Sequence, residues 1–212
     1  NETTTPMKND RKVIDNLENL LSLYGDSAPA SIAKELDYIS PHYQQMIERS
    51  PFAVFCTVGS GGLDCSPRGD APGFIRVRDN KTLLLPDRRG NNRLDSLRNL
   101  VEDPRASILF LIPGIGETLR VNGRAVIIQD SQLQQSFEVN GKAPVTIVEF
   151  TVERIYFQCQ KALVRSKLWE SDYKITRDQL PSTGEIVKAI KKDFDAKAYD
   201  DAYPERLKKT LY

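Results

Sequence analysis

With 212 residues, 40% of them hydrophobic and 28% charged, the chain has the make-up of one ordinary globular domain, large enough to bury a core. Its formal net charge of +1 excludes a whole-molecule field that favours nucleic acid, so any anion site must be local. The longest apolar runs, such as "SILFLI" (107–112), fall far short of the roughly 20 residues a membrane span needs.

The first residues, "NETTTPMKNDRK", are polar and carry no apolar segment of the secretory type. Val13, Leu17, Leu20, Leu21 and Tyr24 recur at helical spacing ahead of Gly25, and Ile32, Leu36 and Ile39 predict a second short helix. "SPHYQQMIERSP" predicts a third, with Ser40 as its N-cap, Pro41 in the first turn and Pro51 just past the end. From Pro51 the period changes to that of strands. "FAVFCTV" (52–58) leads through a "GSGG" turn into "LDCSPRG", and "FIRVRD" turns at 80–81 into "TLLLP". A helix at about 91–103 interrupts the strands. Then come "ASILFLIPG" (106–114), "TLRVNGRAVII" (118–128), a short helix near 130–139 and the long "PVTIVEFTVERIYFQ" (144–158). From Ser182 the helical period returns with Ile186, Val187, Ile190 and Phe194.

Six to seven short strands, mostly one turn apart, imply a mainly β, α+β fold: an antiparallel barrel with N- and C-terminal helices. The expected organisation is a single domain over 1–212, with N-terminal helices at 1–50, the barrel at 51–170 and a helical tail at 171–212.

Cys56, Cys65 and Cys159 are odd in number and none is in CxxC spacing. They are expected to be reduced, mostly buried thiols in a cytoplasmic protein. The single histidine, His42, belongs to a capped helix start and reads as structural. One histidine leaves neither a zinc set nor a Ser-His-Asp triad, and no metal site is expected.

Three clusters carry possible chemistry. In "LLLPDRRGNNRLDSLRNL" (83–100), Leu94, Leu97, Leu100 and Val101 share a helical face, so Asn91 or Asn92 is the natural N-cap. Arg88, Arg89 and Arg93 surround that N-terminus, which already carries about half a positive charge and four free N–H groups. Cations there are unfavourable by roughly 0.3–1 kcal/mol for a well-placed charge, unless a phosphate reverses the sign. Solvated arginines, or pairing with Asp87 and Asp95, explain the same residues without a ligand. "SPRGDAPG" (66–73) is either a rigid segment that lets backbone approach a planar ligand or a plain surface turn. In "ETLRVNGRA" (117–125), Arg120 and Arg124 fall on one strand face, which an exposed face also explains.

These clusters, in this order and followed by "KALVRSKLW" (161–169), resemble the pyridoxamine 5′-phosphate oxidase-like FMN-binding split-barrel flavoproteins over roughly residues 40 to 172. The resemblance implies a split barrel that forms a homodimer with FMN in clefts at the interface. It implies a phosphate grip at Arg88, Arg89, Asn91, Asn92 and Arg93, and places Arg68, Gly69 and Asp70 near the polar edge of the flavin. Thr118 and Arg120 match positions that reach the cofactor, and Lys161, Arg165, Ser166 and Trp169 match a late segment closing the pocket. The Arg-x-His pair of the true vitamin B6 oxidases is absent, because no histidine follows His42. The implied function is therefore FMN-dependent oxidoreduction of an unassigned small molecule, with no nucleic-acid or membrane partner. The alternative is non-catalytic binding or sensing of a flavin, a deazaflavin or haem.

Overall fold

The computed structural model describes residues 11–212; the polar opening segment at 1–10, on which the expectation of no secretory segment partly rests, lies outside the described residues. The chain divides into two compact units, one ending at Lys34 and the other running from Glu35 to Tyr212. The first holds α1 (Leu17–Leu21), capped by the Asn16 side chain on the Asn19 N–H, and α2 (Pro29–Ala33), with proline in its first turn. The expected second helix ends earlier than its apolar spacing suggested. Leu36 instead bridges to Ile155 in the larger unit, and Ile39 is buried there.

The larger unit opens with α3 (Pro41–Arg49), capped by Ser40 and with Pro41 at its start, as the sequence indicates. Seven strands follow: β1 (Phe52–Gly59), β2 (Gly62–Gly69), β3 (Arg76–Asp79), β4 (Thr82–Pro86), β5 (Arg105–Leu111), β6 (Thr118–Ile128) and β7 (Ile147–Gln158). Helix α4 (Asp95–Glu102) separates β4 from β5, and α5 (Ser131–Ser136) separates β6 from β7. Every pairing is antiparallel, in the order β2-β1-β5-β6-β7-β4-β3. The end strands β2 and β3 do not pair with each other, so the barrel is split rather than closed. The α+β split barrel expected from the sequence is the fold.

Alternation places Ala53 and Phe55 of β1, Ile108 and Phe110 of β5, Leu119 and Val121 of β6, and Phe150 and Val152 of β7 in one core. Tyr43 and Ile47 of α3 and Leu100 of α4 join it. The β6–β7 ladder shifts register at Asn122/Gly123. A Cβ on Gly123 would meet the Thr151 carbonyl oxygen at 2.0 Å, so only glycine admits this close approach.

After β7 come α6 (Lys161–Ser166), a 3-10 turn at Arg177–Gln179, α7 (Thr183–Ile190) and α8 (Ala196–Thr210). Ser182 and Glu185 form a capping box at the start of α7, and α7 packs against α8. The expectation of mostly buried thiols is overturned: Cys56 is half-buried and Cys65 exposed, both on strand faces away from the core, and Cys159 is exposed just past the end of β7. His42 is exposed on α3. Among the described residues no helix is long and apolar enough to cross a membrane.

Candidate functional site

Strand β4 ends at Pro86, and the next eight residues reach α4 without regular structure. This connection walls a cleft of about 860 Å³, whose other sides come from β2, the start of α4, the loop at 142–145 and Tyr212. That volume is within the range of small-molecule sites.

Helix α4 does not begin where the sequence suggested. Its N-cap is Leu94, in the left-handed region at φ 61°, with no side-chain cap. Asn92 is also left-handed at φ 60°, and the Asn91 side chain accepts from the Arg93 N–H instead of capping the helix. A leucine in this conformation costs about 1–2 kcal/mol, and such strain concentrates at ligand sites. The first turn of α4 therefore keeps free N–H groups beside the cleft.

The arginines are not equivalent. Arg88 is committed: its Nε donates to Asp70 Oδ2 at 2.8 Å, its Nη1 donates to the Phe137 carbonyl at 2.7 Å, and its guanidinium lies 5.6 Å from the Tyr212 ring. Arg93 pairs with Asp95 at 2.9 Å, as the ligand-free reading of the sequence foresaw for that residue. Arg89 is exposed on the cleft wall and makes no hydrogen bond or ion pair among the described residues. A free guanidinium, unpaired amides and a strained backbone there form a donor set suited to an anion.

On the β2 side, alternate residues Asp64, Ser66 and Arg68 face α4. The Ser96 hydroxyl donates to Asp64 at 2.5 Å. Its one proton is then used, so it accepts from Ser66 at 2.9 Å and from Arg68 Nη2 at 3.1 Å. Asp87 also lines the cleft; burial pushes its carboxyl above the usual range, with Arg68 opposing. Asp70 sits lower than usual. Burial acts to raise it, but hydrogen bonds from the Tyr212 hydroxyl and the Ala71 N–H, with Arg88, outweigh that effect.

Of the residues singled out from the sequence, Arg68, Arg88, Arg89, Asn91, Asn92 and Arg93 come together on the cleft. Gly69 ends β2, and Asp70 anchors Arg88. The others stand apart from the cleft. Arg120 donates to the Tyr156 hydroxyl at 3.1 Å, on the sheet face opposite the core, and Thr118 is buried two residues earlier on the same strand. Lys161, Arg165 and Ser166 are exposed on α6, and Trp169 Nε1 donates to the Ile115 carbonyl at 2.8 Å. Two cleft residues carry no local sequence signal. Lys142 donates to the Tyr212 carbonyl oxygen at 2.7 Å, and Tyr212 reaches Asp70 from 142 positions away.

Residues 39–159 match the family model for pyridoxamine 5′-phosphate oxidase. No curated protein matches the chain. Among solved structures, HupZ of Group A Streptococcus is 18% identical with a TM-score of 0.48, over 57% of this chain and 94% of that one. A Clostridium acetobutylicum protein related to general stress protein 26, of the pyridoxinephosphate oxidase family, is 15% identical with a TM-score of 0.42, over 56% and 86%. An F420 reductase is 18% identical with a TM-score of 0.40, over 57% and 98%.

Proposed function

The chain belongs to the pyridoxamine 5′-phosphate oxidase family, and we propose that it is an FMN-dependent oxidoreductase that seats the FMN phosphate against the 88–95 connection. The observation that carries this reading is the unpartnered Arg89 guanidinium beside the uncapped start of α4, in a cleft of about 860 Å³. Arg93, Asn91, Asn92 and the α4 amides add donors, while Arg88, held by Asp70, shapes the wall. Bound FMN would supply the hydride or electron transfer. The protein binds it, orients it and sets the electrostatics through Arg68 and Asp87.

Thr118, Arg120, Lys161, Arg165, Ser166 and Trp169 complete the site only from a second copy of the chain. The outward sheet face that carries Arg120 also carries half-buried Val54, Val58, Leu109 and Leu111, with Leu63 87% exposed beside them. A homodimer through that face covers this apolar surface and brings Arg120 of one copy to the cleft of the other. Oxidation of pyridoxamine phosphate is not assigned to it, because the histidine of the Arg-x-His pair has no counterpart after His42.

Fluorescence titration of the purified protein with FMN, a deazaflavin and haem tests the cofactor. Stopped-flow reduction by a reduced nicotinamide cofactor, followed by transfer to oxygen or a quinone, tests turnover. Saturable FMN binding with turnover supports the proposal; preference for a deazaflavin or haem, or binding with no acceptor, transfers the assignment to the non-catalytic reading.

A further inference from the structure

Tyr212 lies just past the end of α8, yet it is fixed to three other parts of the larger unit. Its hydroxyl donates to Asp70 Oδ1 at 2.7 Å, its main-chain oxygen accepts from Lys142 Nζ at 2.7 Å, and the Arg88 guanidinium stands 5.6 Å from its ring. Both oxygens of Asp70 are then engaged, since Oδ1 also accepts from the Ala71 N–H at 2.8 Å and Oδ2 accepts from Arg88. The bond to Asp70 raises the pKa of the Tyr212 phenol, so the hydroxyl keeps its one proton and spends it there. Neither group has a proton left to offer a ligand. What Tyr212 gives the cleft lining is its aromatic ring.

An apolar stretch of chain continues this wall. Lys142 is followed by Ala143, Pro144 and Val145, all on the cleft, and Val145 is 69% exposed. The Gln134 side chain of α5 fixes the stretch by donating to the Pro144 carbonyl at 3.0 Å and to the Val145 carbonyl at 2.7 Å. The cleft therefore has two unlike sides. Arg89 and the uncapped start of α4 offer donors to an anion, whereas Tyr212, Pro144 and Val145 offer apolar surface and an aromatic ring. A ligand that joins a phosphate to a planar ring satisfies both.

Given the FMN reading of the cleft, on which this inference rests, we propose that Tyr212 is a specificity-determining residue: the wall against which the planar ring of the cofactor packs, extended by Pro144 and Val145. Phosphate and ring are thereby assigned to different residues of one cleft. Asp70 and Lys142 are positioning residues, which act through Tyr212 by holding its ring in place before the ligand arrives.

The test is calorimetric titration of the full chain with FMN, with the visible flavin spectrum recorded at saturation. Tyr212→Leu should bind FMN about tenfold more weakly, through loss of one aromatic partner, and its bound flavin band should move toward that of free FMN. Tyr212→Phe loses the bond to Asp70 but keeps the ring, so it should stay within about threefold of wild type and show the wild-type band. Val145→Ser, at an exposed position, should weaken FMN about twofold to fivefold and leave the melting curve of the cofactor-free protein unchanged. The proposal is overturned if Tyr212→Leu and Val145→Ser both bind FMN as wild type does. It is equally overturned if Tyr212→Phe falls as far as Tyr212→Leu, because the hydroxyl and not the ring would then carry the effect. Wild-type protein that binds no FMN refutes the flavin reading and this inference with it, whereas wild-type binding with unchanged variants refutes the inference alone.

Discussion

The Asp70 carboxylate, 4% exposed, grips Arg88 Nε at 2.8 Å, and this is the most buried ion pair among the described residues. It forms one residue past β2 and ties that strand to the end of β4, so the cleft wall rests on it. Asp70→Asn leaves Arg88 buried without its anion and should cost about 1.5–3 kcal/mol, as loss of a hydrogen bond to a charged group does. Thermal denaturation should show a fall of roughly 3–12 °C. The pH dependence follows from the lowered pKa of Asp70. The folded chain binds this proton more weakly than the unfolded chain, so the contribution is complete above the ordinary value of 3.8 and is lost as pH falls through the folded value. The wild-type advantage over Asp70→Asn should therefore shrink on acidification below that range; an advantage that stays constant down to pH about 2 would contradict it.

Much of this fold is legible in the sequence because strands and caps are local. The alternating run at 118–128 is β6, and Ser40 followed by Pro41 marks α3 where it forms. What escaped reading depends on tertiary placement. No rule of spacing places Leu94 in a left-handed conformation, so the Asn91/Asn92 cap favoured by propensity lost to a turn that aims α4 at the core. Leu36 has the spacing of a helix but takes a bridge to Ile155. The basic side of the site was visible as a run of arginines, yet nothing local distinguished Arg88, committed to Asp70, from Arg89, which is free. Cys56 and Cys65 are nine apart, a spacing that means nothing until a two-residue hairpin turn sets them opposite each other.

That difference between neighbouring arginines predicts a split in phenotype. Arg89→Ala removes no internal partner, so the melting curve of the cofactor-free protein should shift by no more than about 0.5 kcal/mol. Its affinity for FMN, measured by fluorescence quenching, should fall about tenfold to a hundredfold through loss of one charged donor. Arg88→Ala should lose stability in the cofactor-free protein first, with weaker binding as a consequence. Equal melting curves for the two variants would dissolve the distinction.

Asp87 offers the opposite pH behaviour to Asp70. Burial raises its folded pKa, so the folded chain holds this proton more tightly than the unfolded chain. Stability from this group is present below 3.8 and is lost as pH rises through the folded value. Asp87→Asn should therefore be more stable than wild type at neutral pH and equal to it in acid. Urea denaturation at both pH values reads this directly, and a neutral-pH loss would place a bound partner on the carboxylate.

Leu94 carries the strain of the cleft, and its relief can be measured. At φ 61° a leucine is disfavoured by about 1–2 kcal/mol, whereas glycine adopts this region freely. Glycine returns about 0.5–1 kcal/mol of that gain as extra freedom in the unfolded chain. The Leu94 side chain is 46% exposed, so its removal forfeits only part of a buried leucine's packing. Leu94→Gly should thus stay within about 1 kcal/mol of wild type in stability, in spite of a lost apolar side chain. Leu94→Val should fall below wild type by at least about 1 kcal/mol, because a β-branched residue tolerates positive φ least. Denaturant melts of the three proteins place valine below both glycine and leucine if the backbone sets the balance. A valine variant as stable as wild type would mean that the turn relaxes out of the left-handed region at no cost, and the free amides at the start of α4 would then owe nothing to it.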